Sequence, residues 1–258
     1  MEKSVDFSVM DQIATLVINR PAVHNSFNED VIDQFIACFE EMNASKEIRV
    51  ILMTSVGKTF SAGADIEYMK RIATYSMEEN LKDAQKLARM FKIIRESPKP
   101  VVARVQGPVF GGGVGLIAAS DVSIALSSVT FSFTEVKLGI MPAIISPYVV
   151  EKTGPGPLHR YCLTAEPFHA EEAKRIGLVS EVVGSMEKLN EKVTETCYAL
   201  KSNSGQAIAA FKNLLSEVAG RNWEATNQIT SRRLAELRHS PEGQEGLQAF
   251  LEKRKPRF

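Results

Sequence analysis

Up to about residue 185 the chain alternates short β-branched runs with amphipathic stretches, and beyond it the β-like runs cease. That change constrains the fold more than any other feature. It calls for a mixed α/β body followed by a helical tail of roughly 70 residues, too small to bury a good core alone and obliged to pack on the body or on another subunit. Within the body, IATLVIN at 13–19 reads as a strand that leaves the sheet before Pro21. Asn28 is placed to cap a helix whose Val31, Ile32, Phe35, Ile36, Phe39 and Met42 share one face. RVILMTS at 49–55 predicts a strand buried on both sides, 79–96 a second amphipathic helix stopped at Ser97-Pro98, and VVARVQ, VSIAL and TFSF three further short strands. The tail then carries four helical patterns, beginning MEKLNEK, GQAIAAF, WEATNQI and PEGQEGL.

Charge and composition exclude several function classes. The 258 residues hold 31 Lys plus Arg against 31 Asp plus Glu, so no net field holds a polyanion or an anionic membrane surface. A basic run from Lys82 to Lys99 lies partly on one helix face, where a solvated surface is a simpler account than nucleic-acid binding. Cys38, Cys162 and Cys197 are odd in number and far apart, which fits reduced thiols and neither a disulfide framework nor a thiolate metal site. His24, His159, His169 and His239 show no HxxxH spacing, so no metal is expected, and no serine sits in a GxSxG elbow. With no apolar run of signal-peptide or membrane-span length, the expected compartment is the cytoplasm.

The chemistry concentrates between residues 60 and 142. In Phe60-Ser61-Ala62-Gly63-Ala64-Asp65-Ile66, and again in Phe110-Gly111-Gly112-Gly113-Val114-Gly115, glycines join a strand to a helix. Either turn alone is accounted for by tight helix-on-strand packing. Neither matches GxGxxG or GxxxxGK[ST], so phosphate-loop readings fail on spacing. Two such turns offer backbone N–H groups at two helix starts, and a converging pair of donors is what an oxyanion hole requires.

FSAGADI, FGGGVGL about fifty residues on, and TEVKLGIMP resemble, in that order, the signature blocks of the enoyl-CoA hydratase/isomerase (crotonase) family. The similarity runs from the NRPAVHNSFN loop to the C-terminal EGLQAFLEKRKPRF. It implies an α/β fold, a crotonase-type β-spiral of ββα turns over residues 1–190 with the acyl-CoA site, and a helical C-terminal region at 191–258 that packs homotrimers, commonly paired into hexamers. The resemblance gives the amides of Ala64 and Gly112 to the thioester carbonyl. It places CoA along Ala62, Asp65 and Ile66 and near Ala22 and His24, with Phe250 and Lys253 reaching in from a neighbouring subunit. Coenzyme A is then part of the substrate, and no separate cofactor is implied.

Hydratases of this family typically hold a water between two glutamates. The second position is matched by Glu135, but the first falls on Gly115, and the usual GIPGGGG block reads Gly139-Ile140-Met141-Pro142-Ala143-Ile144-Ile145-Ser146. One carboxyl group beside an oxyanion hole suffices for a proton shuttle, so isomerisation of a 3-enoyl-CoA stands beside hydration. A non-catalytic CoA- or RNA-binding relative is the third alternative. The FGGGVGL, TEV and MPAIISPYV segments look most like the methylglutaconyl-CoA and carboxygeranoyl-CoA hydratase subgroup. That implies hydration of a branched 2-enoyl-CoA such as 3-methylglutaconyl-CoA, with Lys70, Arg71 or Arg104 as candidate partners for a distal carboxylate.

Overall fold

The computed structural model describes residues 3–258. Strands β1 (Val5–Met10) and β2 (Ile13–Ile18) lead through a 3-10 turn at Pro21–Val23 into helix α1 (Glu29–Ala44). β3 (Val50–Ser55) is followed by α2 (Ile66–Ile72) and α3 (Met77–Arg95), and β4 (Val101–Val105) by β5 (Val109–Phe110) and α4 (Gly112–Ala119). β6 (Val122–Leu126) and β7 (Thr130–Ser132) precede a 3-10 turn at Glu135–Leu138, then α5 (Ser146–Thr153), α6 (Pro155–Thr164), β8 (Phe168–His169), α7 (Ala170–Arg175) and β9 (Glu181–Val183). Helices α8 (Met186–Lys201), α9 (Gly205–Val218), α10 (Trp223–His239) and α11 (Pro241–Leu251) complete the chain.

Local chemistry sets the boundaries. Asn28 caps α1 as expected, its side chain accepting from Val31 N at 3.0 Å. Helix α3 begins two residues before the expected 79, because Ser76 and Glu79 close a capping box around its first turn. β1, β5, β8 and β9 are absent from the sequence reading. β5, β8 and β9 are two or three residues long, too short to show an alternation, whereas in β1 Val5, Phe7 and Val9 alternate with Asp6 and Ser8, a signal that was there to be read.

The strands form two sheets. The larger runs β1-β2-β3-β4-β6-β9, antiparallel at β1–β2 and parallel thereafter, and the smaller runs β5-β7-β8. β3, β4 and β6 are each followed by a short segment in the second sheet and then a helix. Thus β3 leads to Ser61, which bridges Val109 of β5, β4 leads to β5, and β6 leads to β7, which pairs with β5 in turn. Successive ββα units stacked this way are the turns of the expected β-spiral.

One face of the large sheet carries the main core, with Phe35 and Phe39 of α1 and Phe91 and Ile94 of α3 packed over Leu16, Ile18, Ile51 and Met53. The other face packs Val50, Val102 and Ile124 against Leu189, Val193 and Cys197 of α8. Each aliphatic anchor of this kind is worth about 1.5–3 kcal/mol when fully buried. The expected division at 190/191 therefore falls inside a helix that forms a layer of the body. Beyond α8 burial nearly stops: α9 buries only Lys212, α10 nothing, and α11 only Ala249. Lys212 latches the tail to the body, donating to Asp121 Oδ2 at 2.6 Å and to the Lys99 carbonyl at 3.0 Å. Phe211, Trp223, Phe250 and Leu251 stay exposed.

Candidate active site

The two glycine turns meet. A Cβ on Gly63, whose φ is +83°, would lie 2.9 Å from the Phe110 carbonyl and 3.3 Å from the Gly112 nitrogen. A Cβ on Gly113 would lie 2.8 Å from the Ser61 carbonyl. The loops approach this closely only because both positions lack side chains. Around the contact nearly every N–H is engaged. Gly63 N donates to Ser61 Oγ, Asp65 N to Phe27 O, Phe110 N to Ser61 O, Gly111 N to Ser132 O and Val114 N to Gly111 O. Three N–H groups here find no acceptor among the described residues: that of Gly113, which does not line the cavity, and those of Ala64 and Gly112. Ala64 and Gly112 line one cavity of about 420 Å³, with Gly112 as the first residue of α4, where the helix dipole presents its positive end.

Glu135 opens the 3-10 turn after β7 and faces this cavity. Its Oε1 would lie 3.2 Å from a Cβ on Gly111, which has φ +49°. Its Oε2 is buried and has no hydrogen-bond partner among the described residues. Burial pushes the carboxyl pKa up, against a smaller lowering by the backbone N–H groups of Glu135 and Thr134. A carboxyl group with an unpartnered oxygen next to two unused amides is equipped to exchange a proton with a bound molecule while negative charge develops at the amides.

No carboxylate occupies the turn of α4 beyond Gly112. A Cβ on Gly115 would sit 2.7 Å from Phe91 Cε1 and closer still to Ile145 Cγ2. Gly115 is thus a glycine because hydrocarbon from α3 and from the start of α5 fills its space. Phe91, Leu87, Ile72, Met69, Leu138, Ile140, Met141, Ile144 and Ile145 make the rest of the cavity largely apolar.

The other expected positions separate into two groups. Ala62 and Ala64 line the cavity, and Ala62 N donates to the His24 carbonyl at 3.0 Å, which holds the Pro21–Val23 turn, with Ala22 on it, beside the first glycine turn. His24 is exposed, its Nδ1 3.2 Å from Thr59 Oγ1, and Ile66 is exposed at the start of α2. Asp65 is buried and turned to other work: it caps α2 through Glu67 N at 2.9 Å and pairs with Arg20 at 3.0 Å. Burial alone would raise its pKa, but these partners hold it lowered. Phe250 and Lys253 lie outside the cavity of their own chain.

The three expected cations are elsewhere as well. Lys70 pairs with Glu67 at 2.7 Å and Arg71 with Glu29 at 2.6 Å. Arg104 bonds Asn190 of α8 at 2.8 Å, on the far side of the large sheet. In the basic run, Lys82, Lys86, Arg89 and Arg95 are paired with Glu78, Asp33, Glu40 and Glu151. Sequence reading missed the walls Phe27, Tyr68, Asp83, Leu87 and Phe91. A usable signal existed, because 80, 83, 84, 87 and 91 fall on one face of α3.

Residues 9–258 match the family model described as enoyl-CoA hydratase/isomerase. The crotonyl-CoA hydratase of Syntrophomonas wolfei is 32% identical over 96% of this chain and 95% of that protein. A peroxisomal delta(3,5)-delta(2,4)-dienoyl-CoA isomerase of Arabidopsis thaliana is 30% identical over 100% of this chain and 95% of that protein. Among solved structures, an enoyl-CoA hydratase from Shewanella pealeana superposes with a TM-score of 0.95 at 39% identity, covering 99% of this chain and 96% of that one.

Proposed function

Because the chain belongs to the enoyl-CoA hydratase/isomerase family, we propose that it adds water across the double bond of a 2-enoyl-CoA with Glu135 as the one acid/base. The observation that carries this reading is the unpartnered, buried Glu135 Oε2 beside the unused N–H groups of Ala64 and Gly112. The thioester oxygen accepts from both amides. Glu135 takes a proton from the attacking water, hydroxide adds to the β-carbon, and the same carboxyl group returns a proton to the α-carbon. Charge on the enolate oxygen is met by donors already in place, each worth about 3–4 kcal/mol in the transition state. These groups complete the proton and charge accounting, so the reaction calls for no cofactor beyond the CoA of its substrate.

CoA runs past Ala22, His24, Ala62 and Ile66, and Phe250 and Lys253 serve a neighbouring subunit of a homotrimer. The exposed Phe250 and the nearly uncovered α10 support that assembly. The buried, unpaired Cys38, Cys162 and Cys197 suit the reducing cytoplasm. A wide apolar cavity suits a branched acyl chain. A distal carboxylate, as in 3-methylglutaconyl-CoA, has less support, because no Lys, Arg or His lines the cavity among the described residues.

The filled space at Gly115 favours a second reading, isomerisation of a 3-enoyl-CoA, in which Glu135 moves one proton and no water is needed. Absorbance loss of crotonyl-CoA and of 3-methylcrotonyl-CoA, with mass spectrometry for an added water, tests the first. Hydration of neither, with a 3-enoyl-CoA converted to its conjugated isomer, would replace it by the second.

A further inference from the structure

The cavity contains a polar pair that neither reaction uses. Tyr68 of α2 is buried, and its hydroxyl donates to Asp83 Oδ2 of α3 at 2.5 Å, with both residues on the cavity wall. The phenol proton is thereby committed to Asp83 and is not free for a bound anion. The amide of the neighbouring Asn80 is likewise spent, on the carbonyls of Tyr75 at 3.1 Å and Ser76 at 3.2 Å. The nearest lysines on α3, Lys82 and Lys86, hold Glu78 at 2.8 Å and Asp33 at 2.6 Å. Asp83 and Glu135 are the only charged side chains on the lining among the described residues.

Their positions differ. Phe91, eight residues after Asp83, abuts Gly115 in the helix that begins at the oxyanion donor Gly112. Eight residues of α-helix span about 12 Å, so Asp83 sits at the opposite end of the α3 wall from Phe91 and Gly115. On the α2–α3 side of the cavity Asp83 thus adds a carboxylate to a wall otherwise made largely of hydrocarbon.

We propose that Asp83, oriented by the Tyr68 hydroxyl, is a specificity-determining residue that admits uncharged acyl chains and rejects chains ending in a carboxylate. The inference rests on the acyl-CoA reading of this cavity. A second carboxylate there would lose its water, find no cation and meet like charge, and each of these disfavours binding.

Calorimetric binding of two saturated five-carbon thioesters, pentanoyl-CoA and glutaryl-CoA, tests this without turnover. The unmodified protein is expected to bind pentanoyl-CoA at least about tenfold more tightly. Part of that ratio reflects the apolar tail alone, so the deciding quantity is its change on Asp83→Asn, which keeps an acceptor for Tyr68 and removes the charge. The ratio should narrow at least about fivefold, chiefly through tighter glutaryl-CoA binding. Asp83→Ser is the second variant, and a thermal unfolding midpoint checks that each is folded. An unchanged ratio in both folded variants overturns the proposal alone. Failure of the unmodified protein to bind either thioester overturns it together with the acyl-CoA reading.

Discussion

Two neighbouring places along α4 have opposite fates. Beside Gly111 the structure keeps room for a carboxyl group, and Glu135 occupies it with one oxygen unpartnered. One turn on, beside Gly115, the room is taken by Phe91 and Ile145. A buried, unpaired carboxyl is costly and is retained where chemistry needs it, whereas hydrocarbon closes the second place to water and charge alike. The position at which the resemblance places a second carboxylate is thus closed by packing as well as by sequence, and in the proposed reaction proton transfer falls to Glu135 alone.

Removing the chemistry from the first place should have the largest effect. Glu135→Gln keeps shape and loses the base, and kcat for the preferred thioester is expected to fall about 10³-fold. A variant within tenfold of the unmodified enzyme would erase the distinction between the two places. Forcing a carboxylate into the second place is the reciprocal test. Gly115→Glu should yield no faster hydration and should destabilise the fold by about 2–4 kcal/mol in denaturant unfolding, through overpacking and a buried charge. Adding Ile145→Ala should recover part of that loss, since the two positions are in contact.

A smaller effect is expected from Gly111→Ala. Its methyl group would crowd Glu135 Oε1 at 3.2 Å from a backbone at φ +49°, and displacement of the carboxyl should lower kcat about tenfold while KM changes less. The smallest signature is in pH. Burial raises the Glu135 pKa, so a reaction that needs its carboxylate loses rate, as pH falls, at a higher pH than an ordinary glutamate would give. The sign for stability is opposite. The folded state retains the Glu135 proton at pH values where the unfolded chain has released it, so this group's contribution falls as pH rises through that window. Glu135→Gln should remove the acid limb of kcat from whatever activity remains and raise the unfolding midpoint at neutral pH.

How much of this was legible in the sequence depended on whether the signal was local. The Asn28 cap, the α1 face and the four tail helices follow from spacing of three and four residues, and each forms as expected. The two glycine turns were legible as donors, and the packing of Gly63 and Gly113 against the opposite loop gives the reason they converge. What was hidden depended on partners distant in sequence. Asp65 looked like a CoA contact, but its carboxylate is held by Arg20 on one side and by the α2 N-terminus on the other. Arg104 looked available for a substrate carboxylate, but the strand period points it toward α8. The reason for Gly115 lay 30 residues downstream at Ile145, a distance no local pattern spans.

The Lys212 latch has a consequence for how the molecule opens. Asp121 Oδ2 accepts both from Lys212 Nζ and, at 2.7 Å, from the Val101 amide that starts β4. Undocking α9 would leave that carboxylate without its cation and loosen the first hydrogen bond of a central strand. The Val101 amide is therefore a single-residue reporter on the tail. Its hydrogen-exchange rate should track the opening of α9 from the body, and it should slow when the uncovered faces of α9 to α11 acquire a neighbour.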